Sequence, residues 1–274
     1  DLGATEVIFS LLLSMLLMFL VMWKKGLIPM AKESWSLPKP SSLDYLLWIL
    51  IATFSSIFLL DLLMSYLTFL PNLMEQTFNT IFENIWGIIA VTLVGPLLEE
   101  LVFRGAVTRF LLERYTPRIA IVVSALIFGL IHMNPTQVIG GFIIGLLLAW
   151  VYYKTKSILP VLIIHVINNS LSVMISKKFV LADSFQDIIP TPAYWLIAAS
   201  ALLLLITSLM KLNQATISPF LTEKDEKEEG GQGEVGSGGG LNTNAYKRIC
   251  FNIDNSPLLL VGERCSCKPI LSIK

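Results

Sequence analysis

The chain has 274 residues, 54% of them hydrophobic and only 15% charged, with a formal net charge of zero and a mean hydropathy of +0.71. A water-soluble domain carries about 25% charged residues, so this chain is built for an apolar solvent. The balanced charge excludes a nucleic-acid binder of the basic-patch kind and a solvating acidic chain.

A membrane-crossing helix needs roughly 20 largely apolar residues. By that measure seven segments are predicted spans, at about 6–23, 44–70, 82–103, 119–134, 138–153, 158–176 and 193–210. The first is long and lacks a basic lead-in, so it reads as a span and not as a cleaved signal. The fourth and fifth are short and call for tilt or shielding by neighbours. The predicted fold class is all-α, a polytopic transmembrane helical bundle with every backbone group satisfied inside its own helix. Basic residues set the orientation. Lys24, Lys25 and Lys32 follow the first span, and Arg109, Arg114 and Arg118 the third. Lys154 and Lys156 follow the fifth, and Lys211 the seventh. The alternate loops are poor in Lys and Arg, except for Lys177 and Lys178, which Asp183 and Asp187 offset. The expected topology puts the N-terminus outside and the C-terminus in the cytosol.

Beyond Phe220 the composition changes to a charged run and then a glycine-rich one, so residues 221–274 read as a flexible tail. Its Cys250, Cys265 and Cys267 are the chain's three cysteines. They lie outside every predicted span, so neither a disulfide framework nor a cysteine metal cage holds the core.

Ionisable groups within spans are costly and point to function. The chain has two histidines, His132 and His165, and both lie in apolar segments, "ALIFGLIHMN" and "LPVLIIHVINNS". In the third span, "LVGPLLEELVFRGAV" carries Glu99, Glu100 and Arg104. Glu100 and Arg104 are four apart and can pair on one helical face. Glu99 is turned about 100° away, in line with Phe103, and stays free to face a cavity. Phe128 and His132, and His165 and Asn169, repeat the same four-residue spacing. Three helices can therefore present polar groups to one interior pocket. Pro96, next to Gly95, predicts a kink just before the glutamates, and Gly141 and Gly145 allow close approach of a neighbouring helix. Counted from Arg118 at about 1.5 Å per residue, His132 lies roughly 20 Å deep, further in than Glu99 or His165. Asp61, in the second span, is expected to pack helices or to act on the outer side.

Each feature has a plain structural account: an ion pair that lets a helix be buried, histidines and asparagines that bond across helices. Their combination suits activation of water against a carbonyl. A carboxylate at Glu99 could serve as general base and His132 could orient the water or shuttle its proton. His165 and Asn169 could donate hydrogen bonds to the oxyanion. Ser124 and Ser170 have no context that singles out a nucleophile. The same Glu99, His132 and His165 could instead hold a divalent metal such as zinc, two histidines and a glutamate being a catalytic ligand set, although the chain has no His-Glu-x-x-His helix. Two other classes fit buried polar groups: a non-catalytic membrane immunity or scaffold protein that binds a peptide or partner helix, and a proton-coupled transporter, which would show an internal repeat that is missing here.

"EELVFR" (Glu99 to Arg104), "FGLIH" (Phe128 to His132) and "HVINN" (His165 to Asn169) fit the patterns EExxxR, FxxxH and HxxxN. In that order, on successive apolar segments, they resemble the CPBP family, the type II CAAX prenyl endopeptidases with the bacteriocin-processing and bacteriocin-immunity proteins. The resemblance covers about residues 80–176, and divides the chain into N-terminal transmembrane helices (1–79), a catalytic core (80–176), a C-terminal transmembrane helix (177–220) and the tail (221–274). It implies an intramembrane endopeptidase in which Glu99 and His132 activate water, His165 and Asn169 stabilise the oxyanion, and Glu100, Arg104 and Phe128 support the site. It implies a peptide or protein substrate within the lipid, prenylated for the eukaryotic members, with no nucleic-acid partner, and it leaves open a glutamate-dependent or a zinc-dependent hydrolase. The expected location is the plasma membrane of a prokaryote.

Overall fold

A computed structural model of the chain describes residues 4–26, 35–37, 42–179 and 184–215. The tail with its three cysteines lies outside the described residues. Among the described residues the structure is helical throughout and contains no strand. We number the helices α1 (Ala4–Lys24), α2 (Ser42–Ser65), α3 (Glu75–Phe82), α4 (Ile85–Arg114), α5 (Pro117–Leu130), α6 (Pro135–Thr155), α7 (Ile158–Lys178), α8 (Phe185–Ile188) and α9 (Thr191–Ala215).

Five of these, α2, α4, α6, α7 and α9, are long and apolar enough to cross a membrane. Of the other two predicted spans, α5 has 14 residues and falls short of that length, while α1 has 21 residues and carries the apolar stretch Ile8–Lys24. The chain is a multi-pass integral membrane protein. The fourth predicted span ends early because residues 131–134 form a turn, in which Met133 takes a positive φ of 53°. Pro135 then starts α6 in its first turn, where a missing N–H costs nothing. As a result α6 runs 21 residues, longer than the fifth span predicted from the sequence.

Local chemistry sets the helix starts. Asn84 accepts from the Trp86 N–H at the head of α4, and Ser157 from the Leu159 N–H at the head of α7. Pro117 stands in the first turn of α5. Lys156, left-handed at φ 52°, closes α6.

Helices α5 and α6 form a tight hairpin, and α9 lies along α2. Helix α7 packs on α2, α4 and α6, and α1 rests against α4. The α5–α6 approach depends on small residues. A Cβ at Gly145 would stand 3.2 Å from both Ala125 Cα and the Phe128 ring, and one at Gly141 would stand 3.3 Å from Gly129 Cα. In lipid, where burial alone gives no drive to associate, such close backbone contact is what holds helices together. Tyr152, Ile158, Val161 and Ile164 fill the centre between α2, α6 and α7. Asp61, expected to pack helices or to act on the outer side, accepts from the Phe185 N–H at 3.0 Å and so ties α8 to α2.

Candidate active site

Helix α4 carries the glutamates between two widened turns. Residues Ala90–Val94 and Phe103–Thr108 are π-helical, with Gly95–Val102 in ordinary α geometry between them. Such bulges inside α-helices frequently mark functional sites. Here they bracket Glu99 and Glu100.

The expected ion pair is present. Arg104 Nη1 donates to Glu100 Oε1 at 3.0 Å, and both side chains are fully buried. Arg104 Nη2 reaches the Gly145 carbonyl at 3.4 Å, and its guanidinium lies 4.6 Å from the centre of the Phe128 ring. Gly145 thus does two things: it lets α5 approach, and it offers its carbonyl to the buried cation. His165 Nδ1 donates to the same Glu100 oxygen at 2.7 Å. That second bond was not legible in the sequence, where Glu100 had one obvious partner four residues away.

Glu99 is the carboxylate left over, as its helical phase suggested. Its side chain is 16% exposed, and its Oε2 is buried with no hydrogen-bond partner among the described residues. His165 Nε2 stands 3.7 Å from that oxygen, beyond hydrogen-bond length. The Nδ1 of His165 is committed to Glu100, so its Nε2 faces Glu99.

His132 Nδ1 donates to the Phe128 carbonyl at 2.8 Å. A carbonyl can only accept, so the neutral ring keeps its lone pair on Nε2. The Phe128 ring lies edge-to-face against both His132 and His165, with centroids 5.2 and 5.7 Å away. It therefore brings together the two histidines that simple residue counting set at different depths. Phe103 meets the same ring at 5.0 Å. Phe128 is the hub around which Arg104, His132 and His165 are arranged.

Asn169 Nδ2 donates to the Val91 carbonyl on α4 at 3.0 Å, and Asn168 Nδ2 donates to Asn169 Oδ1 at 3.2 Å. Neither Val91 nor the widened turn that contains it was foreseeable from side-chain spacing. Ser124 is paired with Thr108 at 2.6 Å, fully buried, which accounts for it as a contact between α4 and α5. Asn134 is likewise spoken for: it accepts from the Leu73 N–H and donates to Asn72 and Gln137, tying the α2–α3 loop to the start of α6.

A metal centre fits this arrangement poorly. Among the described residues no three His, Cys, Asp or Glu side chains converge closely enough to hold an ion. His132 and His165 lie against the Phe128 ring, and His132 Nδ1 is taken by the Phe128 carbonyl and His165 Nδ1 by Glu100.

Residues 81–171 match the sequence model of the family described as "Type II CAAX prenyl endopeptidase Rce1-like". Over this third of the chain the sequence is similar to that family. The matched segment starts at the end of α3 and ends in α7, and it includes Glu99, Glu100, Arg104, Phe128, His132, His165 and Asn169. Two curated relatives are similar to the chain. One, from Bacillus subtilis (strain 168), is called "Putative membrane peptidase YdiL"; it is 30% identical over 91 residues, covering 33% of this chain and 37% of the relative. The other, "UPF0177 protein YxdF" of Lactococcus lactis subsp. lactis (strain IL1403), is 22% identical over 186 residues, covering 65% of this chain and 98% of the relative. The first match thus spans little more than a third of YdiL's length. No solved structure matches the chain.

Proposed function

We propose that the chain is an intramembrane peptidase in which Glu99 is the general base. The observation that carries this reading is Glu99 Oε2, buried and unbonded among the described residues, 3.7 Å from His165 Nε2, while the adjacent Glu100 spends its Oε1 on both Arg104 and His165 and leaves only its own Oε2 unbonded. An ion pair that serves packing alone needs one glutamate, and the Gly95–Val102 segment has two. The Rce1-like match and the peptidase name of YdiL support the same reading at family level.

In this mechanism Glu99 takes a proton from a water molecule whose oxygen bonds to the scissile carbonyl carbon. His132, its Nε2 lone pair available, steadies that water or relays its proton. The oxyanion accepts hydrogen bonds from Asn169 and from His165 when Nε2 is protonated. Collapse of the tetrahedral intermediate breaks the C–N bond, and the proton gained by Glu99 passes to the leaving amine. Glu100 holds His165 by Nδ1, so its role is to fix the ring's orientation, as an acceptor behind a histidine commonly does. Removing an oxyanion donor costs on the order of a hundredfold or more in kcat, so each named residue has a measurable share. The proposed substrate is a peptide bond near the end of a membrane-associated chain, of the prenylated CAAX kind, and the proposed location is a prokaryotic plasma membrane.

The test is cleavage of a labelled prenylated CAAX peptide by the purified full chain in detergent. Wild type should cleave it, Glu99→Gln should lose the activity while staying folded, and a strong chelator should leave wild-type activity intact. Activity that survives in Glu99→Gln overturns the glutamate mechanism. Loss with the chelator, restored by zinc, replaces it with a metal-dependent one. No cleavage by wild type counts against the CAAX substrate and favours a peptide-binding role for the same pocket.

A further inference from the structure

Pro96 has no N–H, and inside a helix that omission strands a carbonyl one turn earlier. In α4 the stranded group is the carbonyl of Val91. Its usual donor four residues on, the Gly95 N–H, bonds to Ala90 instead, because the turn is π-helical. Its donor five residues on would be residue 96, which is the proline. In an apolar span a freed carbonyl has to be met by a neighbouring helix. Here the neighbour is α7, whose Asn169 Nδ2 donates to Val91 at 3.0 Å. From the other side Asn168 Nδ2 donates to Asn169 Oδ1 at 3.2 Å. The Asn169 amide is therefore held at both ends, which selects one of its two flipped orientations. One of its two amide hydrogens makes no hydrogen bond among the described residues. Asn169 lies one helical turn from His165, whose Nε2 faces Glu99.

We propose that Pro96 and Asn168 are positioning residues for Asn169. The proline does so by withholding an N–H, so that Val91 must take its hydrogen bond from α7. Asn168 does so by occupying the amide oxygen. Together they leave one Asn169 N–H presented to the oxyanion of the scissile carbonyl. The inference rests on the peptidase reading and adds to it the device that aims its amide donor. It also explains why a proline stands one turn before the glutamates: its missing donor, more than its bend, is what the site uses.

Two measurements on the full chain in detergent test this, and they fail separately. The first is a double-substitution cycle on apparent melting temperature, which needs no substrate. Asn169→Ala should lower it by about 3–6 °C in the wild-type background, where it strands the Val91 carbonyl. In the Pro96→Ala background the loss should be less than half as large, because the restored N–H can continue the i→i−5 pattern onto Val91. Equal losses in the two backgrounds overturn the proposal. The second is cleavage of the prenylated CAAX peptide. Pro96→Ala and Asn168→Ala should each lower kcat by about tenfold or more, the scale of a small misplacement at the reacting centre, with KM within about twofold. An unchanged kcat, or an equal change carried by KM, overturns the positioning role. A wild type that cleaves nothing counts against the peptidase reading, and the melting cycle still decides whether Pro96 holds Asn169 in place.

Discussion

Arg104→Met removes three interactions at once while keeping most of the aliphatic volume. The guanidinium pairs with Glu100 at 3.0 Å, bonds the Gly145 carbonyl at 3.4 Å and lies over the Phe128 ring at 4.6 Å. Both members of the ion pair are fully buried, so the substitution leaves a buried carboxylate with no guanidinium beside it. Breaking one half of a buried pair costs about 3–5 kcal/mol. The hydrogen bond to Gly145 is long and adds little, about 0.5 kcal/mol, and the contact with Phe128 adds about 0.5–2 kcal/mol. Against these losses, His165 already donates to Glu100 at 2.7 Å and keeps that bond in the variant. The net loss should therefore fall near the lower end, about 3 kcal/mol. At about 2–4 °C per kcal/mol for a chain of this size, the apparent Tm should drop by about 6–12 °C. The assay is thermal unfolding of the purified protein in detergent, followed by near-ultraviolet circular dichroism. Adding Glu100→Gln to Arg104→Met should recover more than half of the loss, since no buried charge then remains and the Gln carbonyl still accepts from His165. A drop of less than about 3 °C, or a double variant worse than the single one, refutes the account of Arg104 as the counter-charge that allows Glu100 to be buried.

Gly145→Val places a side chain where a Cβ alone would stand 3.2 Å from Ala125 and Phe128. It should cost about 1–3 kcal/mol by overpacking and lower the yield of folded protein from membranes, whereas Gly140→Ala, which would meet only Leu60 at 3.9 Å, should leave both unchanged. Asp61→Ala deletes the acceptor for the Phe185 N–H; exchange of the α8 amide hydrogens should quicken severalfold while α2 keeps its protection. Asp61→Asn, which retains an acceptor oxygen, should restore most of that protection, and equal exchange in both variants would show that Asp61 does not hold α8. Thr108→Val and Ser124→Ala should each destabilise the protein by about 1–3 kcal/mol by leaving a buried hydroxyl alone. The double variant should be closer to wild type than either single one, as read by the same thermal unfolding.

The long helices and some contacts of the candidate site could be read from the sequence because each rests on a short-range rule. Apolar length marks a span, so the five long helices were visible. Four-residue spacing marks a helical face, so the Glu100–Arg104 pair and the free phase of Glu99 were visible too. The turn at residues 131–134 was not, because Ile131 and Met133 are as apolar as the helix they end, and only Asn134-Pro135 marks the break. The bond from His165 to Glu100 joins residues on α7 and α4 with no spacing rule between them. The same is true of Arg104 with the Gly145 carbonyl and Asn169 with the Val91 carbonyl, where the acceptor is backbone and carries no side-chain signature. Pro96 signalled a break in the ladder, and the sequence could say that a carbonyl was freed, but not which helix would answer it.

The two widened turns of α4 also fix its phase. A π turn takes in one residue more than the α turn it replaces, so the faces before and after it are offset by about 100° from where an unbroken helix would put them. Ile85–Ile89, the glutamate segment and Arg109–Arg114 each keep their own heading, like three sections of one shaft keyed at different angles. Deleting a single residue from 90–94 would mend the hydrogen-bond ladder and give a more regular helix. Because the deletion removes the same phase of about 100° that the π turn absorbs, Glu99 would keep its heading relative to Ile85–Ile89. Drawing residues 90–94 into a regular α turn without such a deletion would instead swing the glutamates about 100° round the axis, so in α4 one residue of length and one step of heading are interchangeable.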